Sequence, residues 1–109
     1  MKRYLIQVID KMRRIILPVE LMEKIGLGPG DIVTLKQKKP LVVLQSELKT
    51  LKKGYFNVKI DEEGRLELPV DLMKEMGWKI GYRVKIYYAG DRMVNLTAFA
   101  LGRGFMVCA

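Results

Sequence analysis

The chain repeats itself, and that repeat limits what it can fold into more than any other feature. Ile9 to Val33 returns as Ile60 to Val84 at a shift of 51 residues, with eleven of twenty-five positions identical. Pro18 matches Pro69, Gly26 matches Gly77, and Gly30 matches Gly81. Proline and glycine constrain the backbone itself, so these matches point to a shared geometry. One inserted residue later the similarity resumes, with Val42 and Leu44 against Val94 and Leu96. The units run from about residue 5 to 45 and from about 56 to 97. A polar, basic linker (46–54) joins them, and an apolar tail (98–109) follows. A unit of about forty residues closes no core alone. The two are therefore expected to bury their apolar faces against each other, as a single pseudo-symmetric domain over 1–109.

Both units read as strand, strand, short helix, strand, strand, which makes the chain mainly β with two short helices. Residues 5–9 and 56–60 are rich in β-branched and aromatic side chains, as strands are. A tight turn follows. In the second unit Gly64 supplies a residue free to take positive φ; in the first, Arg13 stands there. The return strand is expected at 14–17 and at 65–68, where Leu66 and Leu68 alternate with Arg65 and Glu67. Pro18 and Pro69 then suit the start of a helix. Val19, Met22 and Ile25, like Val70, Met73 and Met76, recur at helical spacing. Gly26 and Gly77 stand where a left-handed cap ends it. Strands are expected at 31–37 and 41–45, and at 83–88 and 93–97.

Several chemistries are excluded by composition. Histidine is absent and Cys108 is the single cysteine. That removes histidine-dependent triads, His/Cys zinc sites, CxxC redox centres and any intrachain disulfide. No cofactor or metal ligand set is expected, and no catalytic residue, because nothing sets a base beside a nucleophile. Gly26 to Gly30 is glycine-rich but lacks the Lys-Ser/Thr of a phosphate loop. Gln7 and Asp10 interrupt the apolar run after Lys2 and Arg3, so no secretory leader is expected. No stretch has the length of a membrane-spanning helix. The expected location is cytoplasmic, which a lone cysteine also suits.

Twenty Lys and Arg against twelve Asp and Glu give a net charge of +8. That excess favours a polyanionic partner. Lys11, Arg13 and Arg14 cluster in the first turn, where the second carries Glu62 and Glu63 instead. Lys36, Lys38 and Lys39 form another group at a hairpin tip, and Lys49, Lys52 and Lys53 lie in the linker. These later groups read as solubilising charges. The methionines of the helices, Trp78 and most tyrosines read as packing residues.

The run Ile60-Asp61-Glu62-Glu63-Gly64-Arg65-Leu66-Glu67-Leu68-Pro69-Val70-Asp71-Leu72 resembles the signature of AbrB-like (SpoVT-AbrB, MazE-like) swapped-hairpin domains. The first unit matches less closely. The resemblance implies a small interleaved β-barrel. Its tandem-repeat form, as in the MraZ family, would build that barrel from two ββαββ units of one chain. It also implies a DNA-binding transcriptional regulator that contacts duplex DNA electrostatically through the first β-hairpin of each repeat. Arg14 and Arg65 match the DNA-facing arginine. Lys11, Arg13, Lys2 and Arg3 would support them, and Lys74 is the basic residue kept where related helices carry arginines; Met22, Glu23 and Met73 hold the other such positions. Asp10, Asp61 and Gly64 would support the turns. The alternative is a protein-interaction or oligomerisation module, an antitoxin-like role included, that keeps the barrel without specific DNA binding. Arg14 and Arg65 would then serve to pair with Asp10 and Asp61. The expected partners are double-stranded DNA, a second copy of the chain or another protein, and no membrane.

Overall fold

The structure, a computed structural model, describes residues 4–46 and 52–100. Expectations for Lys2, Arg3, linker residues 47–51 and tail residues 101–109 lie outside the described residues. The chain is mainly β, with antiparallel sheets and two short helices. In order the elements are β1 (Tyr4–Val8), β2 (Arg14–Ile16), α1 (Val19–Ile25), β3 (Ile32–Lys38) and β4 (Leu41–Ser46), then β5 (Tyr55–Lys59), β6 (Arg65–Glu67), α2 (Val70–Met76), β7 (Arg83–Gly90) and β8 (Met93–Phe99). Most strand ends fall within a residue or two of the sequence reading. The last strand runs further, to Phe99, and so takes in the first two residues of the expected tail.

One sheet has the strand order β1-β7-β8-β4-β3-β5, and a second pairs β2 with β6. Sequence-distant segments therefore meet. β1 lies against β7, with Val8 opposite Arg83, and β5 lies against β3, with Lys59 opposite Ile32. Corresponding bonds recur 51 residues apart. Ile9 N–H donates to Tyr82 O and Ile60 N–H to Asp31 O, at 2.9 and 2.8 Å. Leu17 N–H donates to Gly64 O and Leu68 N–H to Arg13 O, at 2.9 and 2.7 Å.

Both helices stop for the same reason. Gly26 and Gly77 adopt φ of 74° and 73°, and their N–H groups turn back to the carbonyls of Glu23 and Lys74. A left-handed residue there satisfies end carbonyls that a continuing helix would otherwise use. Pro18 and Pro69 precede the helices with extended ψ, so the chain passes from each strand to its helix across two residues, Leu17-Pro18 and Leu68-Pro69.

The core is drawn from both halves. Ile9, Ile15 and Leu17 are buried with Ile60, Leu66 and Leu68, and Val33, Leu35 and Leu44 with Val84, Ile86 and Leu96. Met22, Met73 and Trp78 are buried with them, and Met76, Tyr82 and Tyr88 pack against the cluster. Apolar burial of this kind, at about 25 cal/mol per Å² removed from water, is what holds the two short sheets and two helices together. Among the described residues no helix is long and apolar enough to cross a membrane.

Candidate nucleic-acid interface

Each expected first hairpin is a turn between two sheets, closed by Asp10 N–H to Arg14 O and Asp61 N–H to Arg65 O. β1 and β5 pair in the larger sheet, while β2 and β6 pair with each other and bring the two return strands side by side. Arg14 stands opposite Glu67, Ile15 opposite Leu66, and Ile16 opposite Arg65. Ile15 and Leu66 are buried. Strand alternation then turns Arg14, Ile16, Arg65 and Glu67 to the other face together.

One aspartate organises each turn. Asp10 Oδ1 accepts the N–H groups of Met12 and Arg14, both at 2.8 Å, and Oδ2 accepts Arg14 Nε at 3.3 Å. Asp61 repeats the arrangement. Its Oδ1 accepts Glu63 N–H at 2.9 Å and Arg65 N–H at 2.8 Å, and its Oδ2 accepts Arg65 Nε at 3.0 Å. Asp side chains suit this work because they reach backbone donors two residues on. At Asp10, burial opposes the charged form, yet the two N–H donors and the Arg14 guanidinium outweigh it and lower the pKa. At Asp61 the Arg65 N–H leads, burial opposes it, and the Arg65 side chain adds to the lowering. Arg65 is held charged in turn, chiefly by its bond to Asp61.

The arginines differ in what they have left to offer. Arg14 uses only its Nε on Asp10, and its terminal nitrogens meet no partner among the described residues. Its side chain is about one-quarter exposed, so the aspartate fixes it while its two-pronged end remains available. Arg65 also bonds Glu63 through Nη2. Arg13 reaches across the strands, with Nη2 to Glu67 Oε2 at 2.9 Å and Nε to the Leu68 carbonyl at 3.3 Å. Lys11 is exposed at the tip of its hairpin.

Four expected residues, Arg14, Arg65, Arg13 and Lys11, thus sit on the two adjoining hairpins. Lys74 is exposed in the last turn of α2, away from the β2–β6 strands in the chain. Lys36, Lys38 and Lys39 lie elsewhere, lining a shallow groove of about 350 Å³ with Leu41, Val43 and Asn95. Sequence reasoning missed Glu63 and Glu67 as partners of Arg65 and Arg13. The alternation that set Arg65 and Glu67 on one face was readable; the apposition of β2 with β6, which delivers Arg13 to Glu67, was not. Met12 and Ile16 are also more than half exposed among these charges.

No protein-family model and no curated protein matches the chain. One similar solved structure is the solution structure of PHS018 from Pyrococcus horikoshii. It has a TM-score of 0.52 and 21% identity, covering 92% of this chain and 95% of that one. At that identity the likeness concerns the fold alone.

Proposed function

We propose that the chain is a DNA-binding regulator of the AbrB-like type, in which two ββαββ units interleave as one pseudo-symmetric barrel. The contact with duplex DNA is electrostatic and runs through the β1–β2 and β5–β6 hairpins. One observation carries this reading: Arg14 and Arg65 stand on adjacent antiparallel strands, each fixed by its own aspartate. A guanidinium held in one orientation loses little freedom when it meets a phosphate or a guanine edge. Arg14 is the stronger contact, since its terminal donors are uncommitted. The backbone bonds that recur 51 residues apart support the two-unit reading.

The double variant Arg14→Ala/Arg65→Ala tests the site. Its duplex affinity in a mobility-shift titration is expected to fall about 30-fold or more, with the melting transition still cooperative. Wild-type affinity in that variant would refute the assignment.

A second reading has one specific observation behind it. Glu63 and Glu67 occupy donors of Arg65 and Arg13, as they would on a protein-binding or oligomerisation face. Under it, the wild-type chain assembles yet has no duplex affinity at near-physiological salt.

A further inference from the structure

The two hairpin tips occupy corresponding places and carry opposite charge. Lys11 corresponds to Glu62, Met12 to Glu63, and Ile16 to Glu67. Lys11 and Glu62 are both exposed, and neither has an ion-pair partner among the described residues. The first hairpin therefore presents Lys11, Arg13 and Arg14 beside the exposed apolar Met12 and Ile16. The second presents Glu62, Glu63 and Glu67 around Arg65. Glu63 pairs with Arg65 and Glu67 with Arg13, which leaves Lys11 and Glu62 as the unpaired charges of the two tips among the described residues. Antiparallel pairing of β2 with β6 sets the basic tip at the Glu67 end of this pair and the acidic tip at its Ile16 end.

Such a surface is complementary to itself. A two-fold axis lying in the plane between two copies, face to face, sets the basic half of each against the acidic half of the other. The symmetry makes the contact reciprocal: the offset that lays Lys11 on Glu62 in one half of the contact lays Glu62 on Lys11 in the other. By the same correspondence Met12 and Ile16, 57% and 52% exposed, come to lie beside Glu63 and Glu67 of the other copy, so the attraction rests on the charged tips rather than on apolar burial.

We propose that two copies of this chain pair through the β1–β2 and β5–β6 hairpins, the first hairpin of each on the second hairpin of the other. Pairing covers Arg14 and Arg65, so self-association and the polyanion compete for one surface. That competition rests on the DNA reading above; the pairing itself does not.

Charge exchange in the full chain, without DNA, decides the pairing. In sedimentation at about 50 mM salt, wild type is expected to dimerise, and to dissociate as salt screens the contact. Lys11→Glu sets two acids face to face, and Glu62→Lys sets two lysines face to face. Each variant alone is expected to dimerise at least about tenfold more weakly. Mixed in equal amounts, they restore opposite charges at both contacts, and the dimer returns. The mixture also guards against misfolding, because unfolded chains would not rescue each other. A monomeric wild type, single variants that pair like wild type, or a mixture that stays monomeric would each overturn the proposal. If pairing is upheld, adding duplex DNA to wild type should release monomers. Duplex affinity that is absent throughout refutes the DNA reading while leaving the pairing intact.

Discussion

Arg13 and Gly64 hold the same place in the two turns and adopt nearly the same backbone, with φ of 62° and 78°. Each donates its N–H to the carbonyl of the turn's aspartate, at 2.9 Å from Arg13 and 3.1 Å from Gly64. The turn was legible at Gly64, because glycine announces positive φ, and obscure at Arg13, because arginine does not. Left-handed geometry costs an L-residue about 1–2 kcal/mol. At Arg13 the bonds to Glu67 and to the Leu68 carbonyl offset part of that cost. An alanine at Gly64 gains no such bonds, and its Cβ would stand 3.4 Å from Met22 Cε. Gly64→Ala is therefore expected to lower unfolding stability by about 1–2 kcal/mol in urea titration. An unchanged midpoint would show that the backbone there relaxes at no cost.

At the scale of the element, the hairpins depend on their aspartates. Both carboxyls lie below the usual value of 3.8, because the folded turn supplies donors to the charged form. The sign follows directly. Unfolded aspartate binds protons more readily, so the stabilisation is complete above 3.8 and disappears as pH falls through the lower folded values. Asp10→Asn/Asp61→Asn should be less stable than wild type at neutral pH, and the gap should close towards about pH 2. A gap independent of pH would mean that the carboxylate charge plays no part. The proline-to-glycine span of each helix was also readable from local chemistry, and α1 and α2 follow it closely. Strand partnership was not readable. Nothing in the alternation of β6 specifies β2 as its neighbour, and nothing in residues 4–8 specifies β7. Those choices are set by which apolar faces close a shared core, a property of the assembled chain.

At the scale of the whole molecule, the charge is uneven. Residues 1–53 carry twelve basic against five acidic residues, and residues 54–109 carry eight against seven. The candidate interface is more balanced than the chain. Lys11, Arg13, Arg14 and Arg65 share it with Asp10, Asp61, Glu62, Glu63 and Glu67, so net charge alone does not make it a polyanion site. Under the proposed DNA reading, attraction there requires the guanidinium ends to outrank the neighbouring carboxylates. Salt dependence measures that balance. Contact through all four cations predicts a slope of about −3.6 for log affinity against log salt, since each neutralised phosphate contributes about −0.9. Arg14→Ala should make the slope shallower by about one unit. Glu67→Gln should raise affinity, by releasing Arg13 and removing a repelling charge. If binding instead comes from the lysine group at 36, 38 and 39, the Arg14 and Glu67 variants will leave slope and affinity where they are. The interface would then belong on the β3–β4 hairpin.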